Sequence, residues 1–136
     1  MRAAYLALLV TLALTACQSA SQSPNCTDHL YSYTDHENKA FLELHGGKSS
    51  SALSDFAKAG QSRLACASNE SGKTQGMNAA YAAVDATGQA AAAKRLGMDE
   101  EARRLMTSAK RIAAEVLNYD GIPPAMRTSM QKLANE

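Results

Sequence analysis

The chain has 136 residues, with 14 Lys or Arg against 13 Asp or Glu, and 46% of its residues are hydrophobic. This length is typical of one domain. The near balance of charge excludes the basic excess that nucleic-acid binding requires. With no tryptophan and two phenylalanines, large aromatic side chains contribute little to a core.

The first 16 residues have the three-part pattern of an export signal. Arg2 supplies a positive charge, residues 5–14 form an apolar run, and Thr15 and Ala16 are small. The apolar run is too short to span a bilayer as a permanent helix. These features predict a secretory signal peptide at residues 1–16.

The end of this signal, Leu14-Thr15-Ala16-Cys17, resembles the lipobox of bacterial lipoproteins. The resemblance implies lipid attachment to Cys17, cleavage before it, and acylation, for example with palmitate. Two or more acyl chains hold a protein firmly on a membrane. Gln18 implies sorting to the outer membrane, with the domain facing the periplasm. The alternative is a cleaved, secreted protein in which Cys17 is an ordinary thiol.

The cysteine count fits this anchor. Three cysteines are present, and lipidation of Cys17 leaves Cys26 and Cys66 as a pair in an oxidising compartment. We predict a Cys26–Cys66 disulfide, which closes a loop of about 40 residues and contributes about 4 kcal/mol of stability. The alternative is two free, buried thiols.

The mature chain divides into a tether and a helical domain. Residues 17–33 are assigned to the lipidated cysteine and a flexible tether: residues 18–25 are polar and Ser-rich, whereas the pattern of residues 26–33 favours neither tether nor helix. Thr34 and Glu37 form a capping-box pattern, which predicts the start of the first helix. The helical domain is therefore expected to span residues 34–136.

Apolar residues at helical spacing predict the remaining helices. The expected order is a first helix ending at Gly46-Gly47, a second from Ser51, a loop at residues 68–75, a third helix from Gly76 to Leu96, a fourth from an N-cap at Asp99 to Asp120, and a short fifth after Pro123-Pro124. No segment alternates as a strand does. The prediction is an all-α fold of four to five helices in antiparallel hairpins or a small bundle.

Residues 90–118 resemble a single tetratricopeptide-like helical hairpin. Gly97-Met98-Asp99-Glu100-Glu101-Ala102 is similar to that family's turn and second helix, which Met106 and Ala109 continue. Ala93 departs from the family, which prefers an aromatic residue there. No second copy follows at a 34-residue period, and a solenoid normally needs about three repeats. The resemblance implies helical hairpins and a peptide-binding role.

Two patterns resemble binding sites, but a polar surface loop and surface histidines explain them more simply. Gly72-Lys73-Thr74 matches a permissive phosphate-binding loop, but such a loop follows a buried strand and here follows a predicted helix. His29, His36 and His45 could hold a metal weakly, although seven helical residues separate the first two by about 10 Å. No nucleophile and base are recognisable. We therefore assign no catalytic residue, cofactor, metal or nucleotide.

Four basic residues, Arg103, Arg104, Lys110 and Arg111, form a possible interaction surface for anionic lipid or an acidic partner. A solvated face is the alternative, because glutamates are interspersed among them.

The sequence thus predicts a non-enzymatic, membrane-anchored envelope lipoprotein whose helical domain has a structural or protein-interaction role. One alternative is an immunity or inhibitor lipoprotein that neutralises a toxin or hydrolase. A weak metal-binding domain is the third possibility. The partner protein is not identified by any of these patterns.

Overall fold

The computed structural model describes the backbone of residues 26–69 and 72–136, and the side chains of residues 34–68 and 72–136. Five α-helices make up most of this part: α1 Cys26–His45, α2 Ser49–Asn69, α3 Gly72–Arg95, α4 Asp99–Val116 and α5 Pro124–Asn135. No strand occurs within these described ranges, and the predicted all-α fold is confirmed. The predicted signal peptide and the predicted anchor at Cys17 lie outside the described residues.

Each helix packs against the next one in the chain, and α1 also contacts α3. Because the connections are short, consecutive helices run antiparallel. We call α1 with α2 hairpin 1, and α3 with α4 hairpin 2. The longest helix, α3, contacts α1, α2 and α4 and is the centre of the array. The shorter α5 packs on α4.

The first helix begins earlier than predicted. α1 starts at Cys26 and continues through Thr34, so the expected N-cap role of Thr34 is wrong. The tether predicted for residues 17–33 therefore overlaps the first two turns of α1. The Thr34 hydroxyl accepts a hydrogen bond from the Arg63 guanidinium of α2 at 3.4 Å. This tertiary contact uses the side-chain oxygen that a cap would have used.

The loop predicted for residues 68–75 is also shorter than expected. α2 continues to Asn69 and α3 begins at Gly72. An ideal Cβ added at Gly76 would lie 2.8 Å from the side chain of Ile122, so the chain after α4 packs tightly on the first turns of α3. That packing stabilises helix where the polar composition alone favours a loop.

The fourth helix differs from its prediction at both ends. Met98 occupies the N-cap position without a side-chain hydrogen bond, and Asp99 is the first helical residue. The acidic groups in this first turn still suit the positive end of the helix dipole. The helix ends at Val116, before the predicted end at Asp120.

The two hairpins turn in the same way at positions fifty residues apart. Gly47 follows α1 with φ 79°, and Gly97 follows α3 with φ 76°. In each turn the N–H of the glycine donates to the carbonyl three residues earlier, and the N–H of the next residue donates to the carbonyl five residues before it. This left-handed helix ending requires glycine for steric reasons.

Buried alanines recur at the same offset of fifty residues, so the two hairpins share a set of small buried side chains. All six alanines at positions 40, 52, 59, 90, 102 and 109 are at most 9% exposed. Small residues at these sites let the paired helices approach closely. The equivalent pairs are Glu37 and Thr87, Ala40 and Ala90, Leu44 and Lys94, Ala52 and Ala102, Leu53 and Arg103, Phe56 and Met106, Ala59 and Ala109, and Arg63 and Ala113.

The contact between Phe56 and Gly88 fixes how α3 lies on hairpin 1. Phe56 of α2 is fully buried, and an ideal Cβ at Gly88 would lie 2.6 Å from its ring. The ring also meets Phe41 of α1 edge-on, with centroids 4.8 Å apart. Glycine at position 88 therefore allows α3 to lie directly on the aromatic side chain.

Candidate functional site

The candidate site is an open groove on hairpin 2, between the last turns of α3 and the first turns of α4. Its volume is about 510 Å³. Ala90 and Ala102 are buried and Met106 is half-buried. Ala91, Lys94, Asp99 and Arg103 are exposed around it. The residues that line the groove are Thr87, Ala90, Ala91, Lys94, Asp99, Ala102, Arg103 and Met106.

The equivalent surface of hairpin 1 is filled. Five buried side chains form one apolar cluster there: Ala40, Leu44, Ala52, Phe56 and Ala92. Four of them belong to hairpin 1, and their equivalents on hairpin 2 all line the groove. Ala92 comes from α3. The last half of α3 therefore covers in hairpin 1 the site that stays open in hairpin 2.

The length of α5 explains the difference. α5 has 12 residues, whereas α3 has 24. Its buried Met130 joins a cluster with Ile112 and Val116 of the second half of α4. No residue of α5 lines the groove. α5 thus covers the half of hairpin 2 that is distant from the turn and leaves the half beside the turn exposed.

The groove also differs from its counterpart in charge. Lys94 replaces Leu44, which is 6% exposed, and Arg103 replaces Leu53, which packs partly buried against the same cluster. Neither cation forms an ion pair with another side chain in the described part of the chain. Asp99 adds one carboxylate at the rim. The rim therefore carries more positive than negative charge.

The four basic residues predicted as an interaction surface have different surroundings. Arg103 lines the groove. Arg104 forms an ion pair with Glu101, with Nε 2.8 Å from Oε2, and this hydrogen bond is the main reason that the pKa of Glu101 is lowered. Lys110 and Arg111 are half-buried and exposed respectively and do not line the groove. The structure instead brings Arg103 together with Lys94.

A second notable feature is a buried polar cluster inside hairpin 1. Arg63 of α2 is fully buried and binds Glu37 of α1 through two hydrogen bonds, of 2.8 and 3.2 Å. It also donates to the Asn78 side-chain oxygen of α3 at 3.1 Å, and its guanidinium lies 4.6 Å from the ring centre of Tyr81. One arginine thus links three helices.

Asp85 of α3 is the second carboxyl group of this cluster. It is fully buried, and neither of its oxygens accepts a hydrogen bond from a described residue. Burial is the main reason that the pKa of Asp85 is raised to about 9, and the neighbouring Glu37 carboxylate adds to the rise, while Arg63 opposes it. At neutral pH Asp85 is therefore protonated beside the Arg63–Glu37 ion pair. Arg63 and Asp85 are fully buried and Glu37 is 6% exposed, so solvent reaches little of the cluster.

The other predicted sites do not form chemical centres in the described part of the chain. Lys73 and Thr74 lie in the first turn of α3, and the described segment before them, up to Asn69, is helical. His36 and His45 are exposed, and the side chain of His29 is outside the described residues. Within the searched residues no group of three metal-binding side chains converges.

The predicted disulfide can be described at one end. Cys66 is 1% exposed near the end of α2, and the side chain of Cys26 lies outside the described residues. Because α1 and α2 run antiparallel, the start of α1 and the end of α2 lie at the same end of hairpin 1. The pairing of the two cysteines stays a prediction.

Comparison of the chain with models of protein families, with curated proteins and with solved structures gave no match. Among the helices in the described residues, none combines the length and apolar character needed to cross a membrane.

Proposed function

We propose that this chain is a lipid-anchored lipoprotein of the bacterial envelope, without catalytic activity, whose helical domain binds another protein. The observation that carries the proposal is the open groove on hairpin 2. The same residue positions in hairpin 1 form a packed interface between helices, so the groove has the shape of a helix-binding surface. Its partly apolar floor and charged rim are typical of protein interfaces.

The anchor is the second part of the proposal. It rests on the pattern Leu14-Thr15-Ala16-Cys17, because a lipid on Cys17 would hold the domain at the outer membrane, facing the periplasm, without a spanning helix. The domain would then meet its partner at a membrane surface. Replacing Cys17 with Ala should move the protein from the membrane fraction to the soluble periplasmic fraction and remove the mass of the acyl chains.

The third part is the Cys26–Cys66 disulfide. The burial of Cys66 and the antiparallel course of hairpin 1 support it. Cross-linking the ends of the hairpin would hold α1 against α2 at the end opposite to the Gly47 turn. A mass increase of about two hydrogens on reduction of the purified domain would support the pairing, and an unchanged mass would exclude it.

Protein binding itself is tested by site-specific photocrosslinking in living cells. A photoreactive residue at Ala91, exposed in the groove, should give a discrete crosslinked product. The same residue in place of Arg111, which is exposed on α4 and does not line the groove, is the matched control. Reproducible absence of crosslinked product from both positions would count against a protein-binding role.

A further inference from the structure

We infer that the groove on hairpin 2 binds one helix of a partner protein, which presents Gly or Ala to Met106 and an acidic side chain to Lys94 and Arg103. This inference rests on the proposed protein-binding function and adds the chemistry of the partner. The helix that occupies the equivalent site on hairpin 1 is α3, and its contacts there indicate what the partner helix needs.

The small residues follow from the contacts of α3 with hairpin 1. Gly88 lies on the Phe56 ring, and Ala92, one turn later, is fully buried in the same cluster. Residues at this spacing share one helix face. Phe56 corresponds to Met106, so a helix that lies equally deep in the groove needs a small residue over Met106. The unbranched methionine adapts more easily to its partner than phenylalanine does.

The acidic residue follows from the two positions that differ in charge. Leu44 and Leu53 help to form the apolar cluster under α3, whereas their equivalents are the cations Lys94 and Arg103 on the groove rim. A covering helix that carried only apolar groups there would desolvate two cations without compensation. An Asp or Glu on the partner helix would pair with them and also favour that partner over uncharged helices.

The described residues do not supply this helix themselves. The face of α3 that carries Gly88 and Ala92 is already buried against hairpin 1, so it cannot also cover the groove. α5 packs at the other end of α4 through Met130. No helix in residues 26–69 and 72–136 is therefore free to fill the groove. The inferred occupant is a helix of another protein, and a second copy of this chain is a different outcome that the experiment separates.

The test uses the full mature chain and a synthetic peptide probe. The probe has the sequence of residues 80–95 with Ala93→Glu, so that it keeps the small-residue face and gains an acidic group. A matched probe carries Ala93→Lys instead. We expect the acidic probe to bind the chain at least about tenfold more tightly than the basic probe at low salt.

Charge reversal of the groove supplies the decisive comparison. The double variant Lys94→Glu, Arg103→Glu should lose about tenfold in affinity for the acidic probe and gain affinity for the basic one, as a charge-swapped pair does. Arg111→Glu is the control and should leave both affinities within about twofold. Exchanged preference cannot arise from misfolding, because a misfolded variant would lose both probes.

The remaining outcomes separate this inference from the proposed function. If photocrosslinking at Ala91 captures another protein, the crosslinked segment should be a helix with Gly or Ala and an acidic residue on one face. If the affinities of the two probes do not change on charge reversal, or if the captured segment is extended or basic, the inference is overturned although protein binding stands. A crosslink from Ala91 to a second copy would overturn it in favour of self-assembly.

Discussion

Hairpin 1 and hairpin 2 have the same type of turn and the same pattern of buried alanines, but they differ in the side chains between their helices and in whether another helix covers them. Hairpin 1 buries Arg63 where hairpin 2 has Ala113, and both positions are inaccessible to solvent. Hairpin 1 also covers Phe56 with α3, whereas Met106 stays half-buried beside the groove. One hairpin is therefore closed by its own chain and contains a fixed polar cluster, and the other is open.

The difference indicates that the two hairpins have different roles, hairpin 1 in stabilising the fold and hairpin 2 in the proposed binding. The hydrogen bonds of Arg63 to Glu37 and Asn78 form only in one arrangement of the three helices, so they disfavour other packings of the alanine-rich surfaces. Such surfaces are otherwise easily shifted along one another. Hairpin 1 can hold the array in one register, and hairpin 2 can present a groove of constant shape.

The largest effect should come from removing the arginine of the closed hairpin. Arg63→Ala leaves the Glu37 carboxylate buried without its partner, and we expect a loss of about 3–5 kcal/mol in the free energy of unfolding. Arg104→Ala, which removes the exposed pair with Glu101, should have a much smaller effect, because solvent screens that pair. Urea denaturation measures both. Equal losses would show that the buried cluster does not hold hairpin 1.

The next effect concerns the pH dependence of hairpin 1. The pKa of Asp85 is raised from 3.8 to about 9 in the folded chain, so the folded state retains a proton that the unfolded state releases. Stability should be greatest below pH 4 with respect to this group and should fall as the pH rises toward 9.

Asp85→Asn keeps the shape of the side chain and removes its titration. We expect it to raise the free energy of unfolding at pH 8 by about 2 kcal/mol and to flatten the decline between pH 4 and 9. Thermal unfolding at a series of pH values measures this. An unchanged slope would mean that Asp85 is ionised in the folded chain.

The contact that closes hairpin 1 gives a smaller effect. Gly88→Ala places a Cβ against the Phe56 ring, and we expect a net loss of about 1–2 kcal/mol despite the better helix propensity of alanine. Adding Phe56→Leu should relieve part of that loss, which a double-mutant cycle in urea reveals. Additive effects would show that the two residues do not meet.

The smallest effect on stability is expected at the open groove. Lys94→Glu with Arg103→Glu should change the free energy of unfolding by less than about 0.5 kcal/mol, because both side chains are exposed. A loss comparable to that of Arg63→Ala would mean that the groove is part of the structural core.

The fold class followed from the sequence because helix patterns and glycine turns are local signals. A tetratricopeptide pattern has a 34-residue period and does not reveal the repeat, because the turns at Gly47 and Gly97 are fifty residues apart. The spacing of alanines around each glycine is the signal that could have revealed it. The buried faces of α3 could not be recognised from hydrophobic periodicity, because alanine contributes little to it. Buried positions also occur nearly all round that helix.

The buried cluster could not be predicted for a different reason. Arg63, Asn78 and Asp85 have the sequence pattern of ordinary surface residues, and nothing local shows that three helices meet around them. The groove depends in the same way on an absence of contact, namely that α5 does not reach Lys94 and Met106. Both features arise from tertiary packing.

The most direct test of the difference between the hairpins is photocrosslinking in living cells from two equivalent positions. Ala91 lies in the open groove and Phe41, its equivalent fifty residues earlier, packs against the closed cluster. We predict an intermolecular product from Ala91 and only intramolecular contacts from position 41. Products of equal yield from both positions, or from position 41 alone, would contradict it.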